Sequence, residues 1–281
     1  MRYANHSGTS TVYDASGALK LTVNLPAAAG STDPASPTGQ VFNGTSSDFS
    51  GDVFIFDGED GRVYGWKPGT GVTVRADNSS GNASYKGLAI ASDDYGDQHL
   101  YLTDFHNGKV VVLDASYDVV TLDGDFTDPK IPAGHAPFGA QAIDDKIVIT
   151  FAKQDAMAAD DDHGPGGYVD LFDTQGNFER RLITRGALNS PWGVAALPDS
   201  FGSYAGMLAI GNFGNGLVHV YDIHVPASSG EKVVSKGTLA HAGAAVAISG
   251  LWGLAVSPDG GLYFTAGQND EANGLFGRLD P

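Results

Sequence analysis

The side chains with chemistry to offer are gathered in five short polar turns. These are GEDG (Gly58 to Gly61), DFHNG (Asp104 to Gly108), AKQDA (Ala152 to Ala156), GNFGNG (Gly211 to Gly216) and GQNDE (Gly267 to Glu271). Each supplies a carboxylate, an amide or an imidazole. Glu59, Asp104, Asn212, Asn269 and Asp270 are oxygen donors of the type that a hard cation such as Ca2+ collects in numbers of roughly six to eight. The chain has no cysteine, which removes disulfides, thiolate nucleophiles and zinc–sulfur sites. The other reading is that these Asp and Asn residues bond the amides of their own turns, as they do in most hairpins.

His106 stands two residues after Asp104, and a neighbouring carboxylate would raise its proton affinity and suit it to general-base work. A lone histidine at a turn tip is also a common exposed residue. Lys153 and Asp155 are read as a catalytic pair beside it, the amine clamping an oxyanion or a carboxylate, or else as a structural salt bridge. The run Asp160-Asp-Asp-His163, followed by Gly-Pro-Gly-Gly, is either a cation-binding lid or a solvated insertion. Trp192 and Trp252 follow Pro191 and Leu251, where core packing and the wall of a sugar or aromatic pocket are both open. There is no G-x-S-x-G, H-E-x-x-H or P-loop.

The elements that must bring these turns together are repeated hairpins. In LYLTDFHNGKVVVLD (Leu100 to Asp114) an apolar strand, an Asn-Gly turn and an alternating return strand follow one another, which is the signature of a β-hairpin. The return strand recurs at Ser7 to Asp14, Asp60 to Trp66, Gly166 to Asp173, Asn215 to Asp222 and Asn273 to Asp280. Ahead of most copies lies a short apolar strand carrying Thr38-Gly39, Lys86-Gly87, Phe138-Gly139, Trp192-Gly193 or Trp252-Gly253. These glycines recur about every 50 to 60 residues, near the spacing of four-stranded propeller blades. The expectation is an all-β, six-bladed β-propeller forming one domain over residues 1–281, with blades near 1–26, 37–77, 85–122, 136–186, 190–240 and 250–281. In that architecture the polar turns gather around the mouth of the axial channel.

The first of these blades holds only a stub, Arg2-Tyr3-Ala4, ahead of its third and fourth strands, and the last stops after its third strand. The propeller is thus expected to be N-terminally shortened, with an incomplete closure blade that a longer precursor would complete. Met1 runs directly into repeat sequence without a charged-then-apolar leader. In blade four the hairpin tip is enlarged to Ala152–Gly167.

With 42% hydrophobic and 10% aromatic residues the 281-residue chain can bury a substantial core. Its 39 glycines fall at strand starts and turn tips, so they argue for turns and not for disorder. The formal charge of −17 repels nucleic acid and anionic membrane and favours cations, or serves as a solvated acidic surface. No window carries the roughly eighteen continuous apolar residues of a membrane helix.

SPTGQVFNGTSSDF (Ser36 to Phe49), YKGLAIA (Tyr85 to Ala91), FTDPKIPAGHAPF (Phe126 to Phe138), FAKQDA (Phe151 to Ala156), LNSPWG (Leu188 to Gly193), GNFGNG, and GLWGLA with FTAGQNDEANGLFG (Gly250 to Gly277) resemble a family of secreted bacterial and fungal propellers. That family is distantly similar to NHL-repeat proteins, and some members carry a PEP-CTERM sorting signal. The resemblance covers essentially the whole chain and implies a secreted or periplasmic protein, without implying a reaction. Glu59, Asp104, Asn212, Asn269 and Asp270 also resemble in type the axial calcium shell of six-bladed lactonases and gluconolactonases. The expected function is a binding or scaffold module that presents the channel mouth to a small molecule, glycan or protein. The alternatives are a Ca2+-dependent lactonase-like hydrolase, with His106 moving protons, and a lyase using His106 and Lys153.

Overall fold

The structure is a computed structural model that describes residues 2–5, 8–14, 16–28, 31–223, 233–269, 271 and 273–280. Its strands pair antiparallel in sequence order. The first sheet holds β1 (Arg2–Asn5), β2 (Thr9–Tyr13) and β3 (Leu19–Asn24). Blade one follows as β4 (Pro37–Phe42), β5 (Phe54–Gly58), β6 (Arg62–Lys67) and β7 (Gly71–Asp77), and blade two as β8 (Tyr85–Ser92), β9 (Gln98–Asp104) and β10 (Lys109–Leu113). Blade three is β11 (His135–Ile143), β12 (Lys146–Lys153), β13 (Tyr168–Asp173) and β14 (Phe178–Thr184). Blade four is β15 (Pro191–Ala196), β16 (Leu208–Asn212), β17 (Val218–Asp222) and β18 (Val234–Thr238). A short ribbon, β19 (Ala240–His241) and β20 (Ala244–Ala245), leads to blade five, β21 (Leu251–Val256), β22 (Leu262–Gln268) and β23 (Asn273–Leu279).

The inner strands show why the repeat needs glycine. A Cβ on Gly139 of β11 would lie 2.1 Å from the Trp192 carbonyl oxygen on β15, and one on Gly193 would lie 2.7 Å from the Trp252 oxygen on β21. On Gly87 it would meet the Gly139 Cα at 3.0 Å, and on Gly39 the Leu88 Cβ at 2.5 Å. Backbones that converge on an axis this closely leave no room for a side chain. At the same place all five inner strands slip register against their second strands, a bulge that turns the strand.

The expected six blades are corrected to five. Five sheets, β4–β7 through β21–β23, carry the glycine-bearing, bulged inner strand. The sixth copy of the return strand, Thr9–Tyr13, belongs to a three-stranded N-terminal sheet whose β1 has no such glycine or bulge. Counting hairpins therefore overcounts blades by one. This sheet sits beside blade one, where Val23, Leu25 and Ala35 pack with Phe54, Phe56 and Tyr64. On its other side Tyr13 stacks on Phe276 of blade five, centroids 5.5 Å apart.

Between blades the core is a series of apolar layers. One joins Ile55 and Val63 to Tyr85 and Leu100, the next joins Tyr101 to Ile147 and Phe172, and two more lead round to blade five. Under the glycines, Thr150 and Thr265 accept the N–H of Gly139 and Gly253 at 2.8 and 3.0 Å. Blade one places Asp57 there instead: its Oδ1 accepts from Gly39 N at 2.6 Å and from the Thr38 hydroxyl at 3.1 Å. Asp57 is fully buried and its Oδ2 has no partner among the described residues. Burial pushes its pKa up to about 7.

Candidate ligand-binding cleft

The DFHNG turn is built by its own aspartate. Asp104 closes it by accepting from Asn107 Nδ2 at 2.8 Å and Asn107 N at 3.3 Å, and it reaches back to Ser84 N at 3.2 Å. This is the Asx-turn role that short polar side chains commonly take. With Gly108 at φ 65°, the turn sends Phe105 into the core against Phe138, centroids 5.0 Å apart, and leaves His106 on the rim. The His106 ring Nδ1 lies 3.1 Å from the Ala158 carbonyl oxygen. A carbonyl only accepts, so Nδ1 carries the proton, and whenever the ring is neutral its lone pair is on Nε2. No described residue hydrogen-bonds Nε2.

His106 lines an open cleft of about 410 Å³. Its other walls are Glu59 and Asp60 from the β5–β6 turn, Ser79, Asn82, Ala83 and Ser84 from the connection between blades one and two, and Ala159 from the enlarged tip of blade three. The cleft thus joins two blades and an insertion that lie far apart in sequence.

Its carboxylates are held by the protein's own cations. Lys86, 1% exposed, holds Glu59 in one direction and Asp160 in the other, the latter at 3.0 Å. Burial works against the charged amine, but Glu59 and Asp160 outweigh it and raise the pKa. Asp60 accepts from Arg62 Nη1 at 3.2 Å and from the Tyr64 hydroxyl. Burial, with Asp60 adding to it, raises the Tyr64 pKa. Two cations, Lys86 and Arg62, are thus shared among four carboxylates, Glu59, Asp160, Asp60 and Asp77, so the wall keeps an excess of negative charge.

The remaining sequence candidates are dispersed among local roles. Lys153 pairs with Asp162 at 2.6 Å and not with Asp155, which corrects the expected pair. Asp155 caps the insertion turn, accepting from Met157 N at 3.0 Å and Ala159 N at 2.9 Å, and the Ala159 amide holds its pKa below the usual range. Asn212 is buried; its Nδ2 donates to Ala187 O at 2.8 Å, while Oδ1 has no partner among the described residues. Asn269 Nδ2 donates to Asn273 Oδ1 at 2.8 Å. Asp270 lies outside the described residues. Among the described residues, no group of three or more His, Asp or Glu is placed to hold a metal ion. Two of the expected Ca2+ ligands are engaged otherwise. Asp104 is spent on its turn, and at Glu59 a lysine ammonium stands where a cation would.

Trp192 and Trp252 pack in a cluster of rings. Trp252 lies 4.2 Å from Phe213 and 5.4 Å from Trp192, and Phe138 joins them. Both indoles are pinned by their N–H groups, Trp192 to the Lys86 carbonyl at 2.8 Å and Trp252 to Glu271 at 2.7 Å. Sequence reasoning missed Lys86 and Asp160 as a linked pair. The available signal was that Lys86 is the one chargeable residue among those preceding the five inner-strand glycines.

No protein-family model matches the chain. Two relatives come from Acanthamoeba polyphaga mimivirus. Uncharacterized protein R648 is 32% identical over 203 residues, 69% of this chain and 48% of its own length. Uncharacterized protein L690 is 29% identical over 296 residues, 98% of this chain and 75% of its own length. The chain thus spans about half of R648. Among solved structures it is similar to a gluconolactonase from Xanthomonas campestris, with TM-score 0.58, 16% identity, and 88% of this chain and 77% of that one covered. It is also similar to virginiamycin B lyase from Staphylococcus aureus, with TM-score 0.55, 9% identity, and 98% and 78% covered. These likenesses establish the β-propeller fold. The relatives are viral, whereas the family expected from the sequence is bacterial and fungal.

Proposed function

We propose that the protein binds a small, uncharged, hydroxyl-rich molecule in the cleft between blades one and two. The observation that supports this most is the internal pairing of Glu59 with Lys86 and of Asp60 with Arg62. Carboxylates held in place by the protein's own cations are positioned as hydrogen-bond acceptors for hydroxyl groups, beside the Ser84 and Asn82 side chains and the His106 ring. The test is calorimetry with neutral sugars and sugar lactones. The expected result is saturable binding, weakened about tenfold or more by Asn82→Ala or His106→Ala, a loss of about 1.4 kcal/mol. Binding that both variants leave unchanged overturns the reading.

A second reading, hydrolysis or elimination on that ligand, is favoured by the bare Nε2 of His106. It could remove a proton from an attacking water at a lactone or ester carbonyl, or from a carbon next to a leaving group. The fold likeness to a gluconolactonase and a lyase accords with it. Turnover of a lactone and ester panel is expected to fall about 100- to 10,000-fold in His106→Ala. Equal turnover by both proteins removes His106 from any mechanism.

A further inference from the structure

The insertion after β12 is joined to the rim at several points that converge on one side chain. Gln154 Nε2 donates to the carbonyls of Phe105, at 2.6 Å, and His106, at 3.3 Å. The Ala158 carbonyl receives the His106 Nδ1 proton at 3.1 Å. That carbonyl is presented by a turn whose amides on both sides, Met157 N and Ala159 N, are gathered by Asp155 Oδ1. One residue further on, Asp160 ties the turn to the buried ammonium of Lys86 at 3.0 Å.

We infer that the 154–160 insertion is a positioning element that holds His106 in the Nδ1–H tautomer, with Asp155 and the Lys86–Asp160 pair as the residues that set it. Which ring nitrogen bears the proton is decided by the hydrogen bond that nitrogen makes. Free histidine in water favours the opposite form, with the proton on Nε2. A ring released from Ala158 would therefore favour a donor at Nε2 and lose the lone pair that the Nδ1–H form keeps there. Asp155 acts through the turn, and touches neither the ring nor the cleft ligand. The inference deepens the proton-transfer reading of the same site, and that role depends on it; the tautomer itself can be read without any ligand.

The experiment is long-range proton–nitrogen NMR of the 15N-labelled full chain at neutral pH, with the His106 ring assigned from its absence in His106→Ala. In the wild type, Nδ1 should resonate as a protonated, pyrrole-type nitrogen and Nε2 as a bare, pyridine-type one. Asp155→Ala and, separately, Asp160→Asn should move both nitrogens towards the values of a tautomer mixture. Met157→Ala, which alters an exposed side chain of the same turn, should leave them in place. A wild-type ring with its proton on Nε2 overturns the inference, as does a wild-type pattern retained in both Asp variants. An Nδ1–H ring in a protein that turns over no lactone or ester would sink the catalytic reading and leave this one standing. An Nε2–H ring in an active protein would overturn the inference and remove the His106 Nε2 as the base, leaving the turnover to another group.

Discussion

Asp57 occupies the position that Thr150 and Thr265 hold in other blades, and it does the same work for the Gly39 amide with an acid in place of a hydroxyl. An acid so deeply buried prefers to be neutral. Its folded pKa of about 7 lies above the ordinary 3.8, so the folded state holds its proton across a window where the unfolded chain has lost it. Stability from this group is full below about pH 4 and is lost as pH rises towards 7, by up to about 4 kcal/mol. Asp57→Thr should keep the amide bond and remove the acid. Urea unfolding is expected to show the variant more stable than wild type at pH 8 and little changed at pH 4. Equal gains at both values would mean that packing, and not ionisation, separates them. The substitution was open to view in the sequence, but only the register of β5 against β4 reveals that aspartate and threonine are equivalent.

At the scale of elements, strand order and the hairpins were legible because each carries a local signal. Gly108 turns DFHNG, and alternation marks Val110 and Val112. The glycine of the inner strands was legible as a pattern and acquires its reason from the neighbouring backbone. Gly139→Ala should cost about 1–3 kcal/mol, since its Cβ would displace the Trp192 carbonyl; a thermal midpoint unchanged from wild type would contradict that packing. The insertion was read as a lid or a solvated loop, yet it is folded against the rim, because the residue that ties it down, Lys86, lies 74 residues away. Lys86→Met should loosen it. Glu59 and Asp160 are partly exposed and can return to water, so the stability loss should be about 1–2 kcal/mol, below the 3–5 of a fully buried pair. Limited proteolysis is expected to cut Lys86→Met within 154–163 faster than wild type. Identical cleavage would remove Lys86 from the role of anchor.

For the whole molecule, six return strands suggested six blades, and the structure makes five blades with an N-terminal sheet beside them. The difference was not readable from hairpins, which are local, because a blade is defined by an inner strand that reaches the axis. Tyr13 against Phe276 links that sheet to blade five. Tyr13→Ala should cost about 1 kcal/mol for the lost ring pair, in addition to the area it buries. The candidate site divides in the same way. His106 and Glu59, chosen from residue type, line the cleft, while Asp104 and Lys153 are engaged by near neighbours in sequence and Asn212 bonds Ala187. Partners distant in sequence decide which polar turns share a cleft. The central claim is that this cleft is where the protein meets its ligand. The most direct measurement is a proton–nitrogen NMR titration of the backbone amides with neutral sugars and lactones. The expected result is that Asn82, Ser84, His106 and Ala159 shift together and saturate; shifts confined to another face of the ring, or none at all with every compound, would contradict it.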